Sequence, residues 1–169
     1  MDVKSPNAAK EAPTALRLAA SMVELIHGGN VMALGTRNVK LVPNIVRANG
    51  GVVSPSRDQV AVLLPGVEGA PALENLRGNG IAALLVMNPH THSGYQFKGR
   101  YLEHHQATSE EQAVWDLHRA KLLAKLAGFY PRLERLYDHY APAPPVCVVF
   151  EVHEIYDQTP GAKAGQRVA

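Results

Sequence analysis

Apolar positions recur at helical spacing near the start of the chain and then give way to short runs and alternations. Ala15, Leu18, Ala19, Met22 and Ile26 share one helical face, with Thr14 placed to cap it and Gly28-Gly29 to end it. That pattern predicts an amphipathic helix over 15–27. Strand-like texture follows. Val31–Gly35 is a short apolar run; Leu41–Pro55 reads as one long strand, with Pro43 and Gly50-Gly51 marking a bend or bulge. Ser56-Arg57-Asp58 is a turn, and Gln59–Leu64 is a strand closed by Pro65-Gly66. A short helix fits Pro71–Leu76 before the breaker Gly78-Asn79-Gly80. Ile81–Met87 is continuously apolar and predicts a buried strand, Asn88–Gly94 a hairpin loop, and Tyr95–Glu103 the returning strand.

The second half is mainly helical. Thr108 with Glu111 makes a capping-box pattern, and Ser109 with Gln112 offers another. Val114, Leu117, Ala120, Ala124 and Ala127 form the expected apolar face, Pro131 interrupts, and Leu133, Leu136, Tyr137 and Tyr140 make a second stripe. Ala141–Pro145 reads as a stiff linker and Val146–Ile155 as a last strand, while 1–13 and 158–169 read as irregular. Short antiparallel strands with interspersed helices argue for one α+β domain, in the manner of a barrel, and against a doubly wound parallel sheet.

Composition narrows the field. The 46% hydrophobic content can build a core, and a formal charge of +2 with no Lys/Arg stripe gives no nucleic-acid surface. No stretch approaches the roughly 18 apolar residues of a membrane span, and Met1-Asp-Val-Lys-Ser-Pro has no apolar signal core. The single cysteine, Cys147, lies in an apolar strand and reads as an inert buried thiol in a reducing compartment. A soluble, cytoplasmic protein is expected.

Chemistry concentrates in three places. In Tyr95–Glu103 the period-two alternation sends Tyr95, Phe97, Gly99 and Tyr101 one way and Gln96, Lys98 and Arg100 the other, successive members about 7 Å apart. The second row could hold a phosphate or the carbonyls of a flat heterocycle, or be a solvated face. Arg47 precedes Gly50-Gly51, where missing side chains let a ligand approach the backbone; a bulge with a solvated arginine is the alternative. In Pro89-His90-Thr91-His92-Ser93, the histidines suit a ligand-touching loop or an ordinary surface loop. They do not make a metal site with His104-His105, since His92 and His104 lie roughly 35–40 Å apart along an extended strand, and no metal is expected. The dinucleotide fingerprint, the phosphate-binding loop and the nucleophile elbow are all missing.

The ordered set resembles one family. A leading helix, a Gly-Thr-Arg-Asn strand end, a long bent strand with Arg47, Val60-Ala-Val-Leu-Leu-Pro, a short helix with Leu73-Glu-Asn-Leu, an apolar strand and then Gln96-Phe-Lys-Gly are together similar to the pyridoxamine 5′-phosphate oxidase-like proteins. The likeness spans about residues 15–105, and Tyr156-Asp-Gln-Thr-Pro-Gly resembles a member's tail. It implies a six-stranded antiparallel split β-barrel with flanking helices, a homodimer, and FMN in clefts at the dimer interface. It also implies a cofactor-binding set of Arg47, Gln96, Lys98, Arg100 and His92, with Arg47 and Lys98 facing phosphate or ring anion and Gln96 bonding the ring. The expected activity is flavin-dependent oxidation or reduction of a small-molecule substrate; the alternative is a non-catalytic carrier of flavin, deazaflavin or haem. Where true oxidases carry a basic Ser-Arg-Lys step this chain has Glu68-Gly-Ala-Pro71, and Val52 or Val53 stands where a lysine is expected. The likeness therefore does not extend to pyridoxamine phosphate oxidase activity itself.

Overall fold

A computed structural model describes residues 15–129, 135 and 143–169. Strands β1 (Val31–Arg37), β2 (Pro43–Ala48), β3 (Gly51–Val53), β4 (Gln59–Leu64), β5 (Ile81–Met87), β6 (Gly94–Gln106) and β7 (Val146–Asp157) form one antiparallel sheet in the order β2-β1-β5-β6-β7-β4-β3. Helices α1 (Ala20–His27), α2 (Ala70–Asn79) and α3 (Ser109–Leu126) complete the described elements. The expected stripe of Leu133, Leu136, Tyr137 and Tyr140, and the first two residues of the linker, Ala141 and Pro142, lie outside the described residues.

The sheet has seven strands rather than six, because the long strand expected over Leu41–Pro55 is divided. Asn38 folds the chain into a turn by accepting the Lys40 and Val42 N–H groups, so extended structure starts only at Pro43. At Asn49-Gly50 the backbone leaves β1 and turns to β4: Asn49 N–H donates to Leu63 O (2.9 Å), and Leu63 N–H donates to Gly50 O (3.0 Å). Gly50 sits at φ +106°, a region L side chains rarely adopt. The two halves, β2 and β3, therefore form the two edges of the sheet and meet at this corner, curling the sheet into a half-barrel.

One face of every strand fills the half-barrel. Met32, Leu34, Val62, Leu64, Leu84, Val86, Phe97, Val148, Phe150 and Ile155 belong to one buried cluster, closed by Leu18 and Ile26 from the N-terminal segment. The N-terminal helix is shorter than its pattern suggests. Residues 15–19 are extended, since Leu16 N–H donates to Val152 O (2.8 Å) and Leu18 N–H donates to Arg57 O (2.7 Å). Backbone bonding to the sheet satisfies these donors, and the helix starts only at Ala20. Beyond β7 the tail adopts no regular element yet doubles back: Val168 N–H donates to Ile155 O, and Ile155 N–H donates to Ala169 O.

Helix α3 has the capping box its sequence announces, with Thr108 and Glu111 bonded reciprocally. Its buried face is not the expected one. His118, Leu122 and Leu126 are buried while Leu117 is 55% exposed. The inward stripe begins with a histidine, which a hydropathy pattern does not count, and the alanines that pattern does count fall on the opposite face. This inward stripe lies against Gly29, the start of β1 and the Gly50 corner.

Two glycines show opposite constraints. A Cβ on Gly99 would stand 1.8 Å from Glu151 O, at the bulge where β6 and β7 change register, whereas a Cβ on Gly78 in α2 would meet nothing within 4 Å. Gly99→Ala is expected to cost at least about 2 kcal/mol, since the backbone must part to admit the methyl group. Gly78→Ala is expected to add about 0.5–1 kcal/mol through helix propensity. Urea unfolding midpoints of the two variants check both signs.

Candidate functional site

The candidate site is built on the outer face of the half-barrel, and its layout follows from register. Residues directly opposite in antiparallel strands point to the same side of the sheet. Arg47 is opposite Ala33, Ala33 opposite Leu85, Leu85 opposite Gln96, and Gln96 opposite Tyr156. The next row runs Ile45, Gly35, Ala83, Lys98 and Glu154, and a third holds Ile81, Arg100 and Glu151. Gln96, Lys98 and Arg100 thus share the outer face with Arg47, while Phe97 between them is fully buried. Arg47 lies three strand spacings from Gln96, about 14 Å across the sheet.

The surface between them carries small side chains except for Leu85, which stands between Ala33 and Gln96. Ala33, Gly35 and Ala83 project nothing beyond a methyl group, and at its rim Ile45 is 74% exposed. Bulky inward residues alternating with small outward ones along Met32-Ala-Leu-Gly were the available sequence signal for this floor.

Two clefts flank the floor and divide the candidate residues. Arg47 and His92 line the first, of about 590 Å³, with Ile45, Met87 and Phe129; none of its lining residues among the described ones is acidic. His92 is held there by the hairpin: its N–H donates to Asn88 O, and its φ of +58° is a left-handed turn conformation. Lys98 and Arg100 line the second, of about 670 Å³, with Glu151, His153 and Glu154. Charges there are mixed. Lys98 Nζ lies 4.2 Å from the centroid of the Tyr156 ring, whose hydroxyl donates to Glu154 Oε2 (2.7 Å). Hydrogen bonding to Glu154 raises the Tyr156 pKa. Glu151 lies 3.2 Å from His153 Nε2 and 3.9 Å from the exposed Arg100. Sequence reasoning did not pick out Tyr156, Glu151 or Glu154 for this cleft, because cross-strand register brings them to it.

His118 of α3, beside Gly50 and Val114, is 4% exposed, and its pKa is lowered from 6.5 to about 4. Burial is the main cause and the Arg47 guanidinium adds to it, while a hydrogen bond to the Asn30 backbone favours the protonated ring. No helix among the described residues is long and apolar enough to cross a membrane.

No family model and no curated protein matches this chain. Solved structures do. HupZ of Group A Streptococcus is 16% identical, with a TM-score of 0.54 over 88% of this chain and 99% of that one. An FMN-binding protein from Syntrophomonas wolfei subsp. wolfei is 16% identical, with a TM-score of 0.52 over 80% and 82%. A pyridoxamine 5′-phosphate oxidase candidate from Lactobacillus delbrueckii is 14% identical, with a TM-score of 0.53 over 83% and 93%. The chain has the fold of the pyridoxamine 5′-phosphate oxidase-like, FMN-binding proteins.

His118 makes stability depend on pH with a defined sign. Above pH 6.5 the ring is neutral in both folded and unfolded chains. As the pH falls from 6.5 toward 4, the unfolded chain takes up a proton that the folded one refuses, so stability drops. This group alone is expected to remove about 2 kcal/mol between pH 7.5 and 5. His118→Leu should abolish that component, and urea midpoints of both proteins at the two pH values measure the difference.

Proposed function

We propose that this chain binds FMN across the outer face of its sheet, as a homodimer, and acts as a flavin-dependent oxidoreductase on a small-molecule substrate. The observation that carries the reading is the patch of small side chains, Ala33, Gly35 and Ala83, with the cleft of Arg47 and His92 on one side and Gln96 on the other, Leu85 standing between Ala33 and Gln96. The donor set fits the cofactor. A flat ring needs an open patch of small side chains, and a phosphate dianion needs a cation. Arg47 meets the second condition, with His92 beside it in the same cleft; Lys98 and Arg100 share their cleft with Glu151 and Glu154. In this reading Arg47 and His92 hold the phosphate, Gln96 donates to the edge of the ring, and Lys98 supplies positive potential near it. A second copy of the chain covers the exposed rim around Ile45 and excludes water. FMN, when bound, supplies the electron-transfer chemistry, and the protein positions it and sets the local field.

A non-catalytic carrier is the second reading, favoured by Glu68-Gly-Ala-Pro71 in place of the basic step; turnover with a reduced nicotinamide and an acceptor separates the two. Flavin binding is tested by titrating FMN and riboflavin, with fluorescence quenching as the readout. A charge-assisted hydrogen bond contributes about 1.5–3 kcal/mol. Arg47→Ala is therefore expected to weaken FMN about 10- to 100-fold with little effect on riboflavin, which lacks the phosphate. Gln96→Ala and Lys98→Ala are expected to weaken both flavins alike. Equal affinities in all four proteins would mean that this face is only solvated. Sedimentation should give twice the 18.3 kDa of one chain, and a monomer at micromolar concentration would remove the partner from the proposal.

A further inference from the structure

A second group of ligating side chains lies far from the flavin face, on the Gln106–Val146 end of the β6–β7 ribbon. His105 of β6 is directly opposite Cys147 of β7, so both side chains leave the sheet on the same side. Glu111, the third residue of α3, reaches back over them. Its Oε1 and Oε2 lie 3.0 and 3.1 Å from His105 Nε2, and Oε2 also accepts the Thr108 N–H of the capping box at 2.8 Å. One nitrogen, one sulfur and one carboxylate oxygen all lie within 4.8 Å of one another. We propose that His105, Glu111 and Cys147 form a binding site for a divalent zinc-like cation that pins the start of α3 to the β6–β7 ribbon.

The donor set suits that ion. Zinc takes imidazole, thiolate and carboxylate in four-coordinate geometry, and three protein ligands leave a position for water. Access exists on one side: the Cys147 side is buried, whereas His105 is 41% and Glu111 18% exposed. Binding is balanced by release of the Cys147 thiol proton to solvent, the imidazole binding in its neutral form and the carboxylate as its anion. Without a cation the thiol stays protonated, since burial, the Glu111 carboxylate and Glu103 all push its pKa up; a bound cation reverses that balance.

A nucleophilic cysteine is the competing use of the same residues, and the geometry disfavours it. The imidazole is directed to Glu111 rather than to the sulfur, and burial with the neighbouring carboxylates disfavours the thiolate that a nucleophile needs. Gln96 lies nine residues away along β6, about 30 Å, so the ion would act on structure rather than on the flavin face.

The test uses the full reduced chain, stripped with chelator and titrated with Co²⁺ and then Zn²⁺. The expected result is one equivalent of cobalt, a thiolate-to-cobalt charge-transfer band, intense four-coordinate visible bands, and loss of both on adding zinc. Cys147→Ser should abolish the charge-transfer band. Glu111→Gln keeps a side chain able to serve the capping box but removes the anionic ligand, and His105→Ala changes a partly exposed position. Each should weaken zinc by at least about tenfold, a loss seen even for groups one step removed from a metal. Far-ultraviolet circular dichroism reports folding; if Cys147→Ser does not fold, the other two variants decide. No charge-transfer band in the wild type, or wild-type zinc affinity in both Glu111→Gln and His105→Ala, overturns the proposal.

Discussion

β6 and β7 pair from Tyr95–Asp157 at one end to Gln106–Val146 at the other, and almost every other arrangement in the molecule depends on that register. It sends Phe97, Phe150 and Ile155 into the core and Gln96, Lys98 and Tyr156 outward. At the far end it brings His105 and Cys147 opposite each other, where the first turn of α3 can reach them. Side chains alternate with a period of two, so a slip of one residue would exchange the faces and destroy core and site together. The register is not uniform: it shifts at Lys98/Gly99 and again at Tyr101/Glu103. Gly99 is the only residue type that could pass Glu151 O so closely, so the bulge and the glycine are one requirement.

The outer face shows how a chain with little net charge can still create separate electrostatic environments. Arg47 and Lys98 share a face, yet among the described lining residues carboxylates occur only in the cleft around Lys98. Arg47 also acts inward, adding to the burial that keeps His118 neutral. The side chain proposed to hold the phosphate therefore also contributes to the pH dependence of the fold.

Much of this was legible in the sequence because the signals were local. Gln59–Leu64 and Ile81–Met87 have the predicted bounds, and the Thr108–Glu111 capping box forms as its spacing implies. The alternation along Gln96, Lys98 and Arg100 is set by backbone geometry alone. What escaped depends on partners distant in the chain. Residues 15–19 have a helical pattern but bond to Val152 and Arg57 instead. The inward stripe of α3 starts at His118, whose burial is decided by Gly50 and Asn30 rather than by hydropathy. The division of cations between two clefts needs the register of five strands. Cys147 was read as an isolated thiol because His105 and Glu111 are more than thirty residues away in sequence.

The corner at Asn49-Gly50 has a bearing on how copies of this chain can meet. By turning one segment into both edges of the sheet, it leaves edge strands of only six and three residues, the longer one beginning with a proline that has no N–H to offer. Short, interrupted edges are poor templates for strand addition, the usual route from a β-rich monomer to fibrils. The fold thus offers little edge for association through backbone hydrogen bonds. Its broad face stays open, where side chains rather than main chain decide which surface fits.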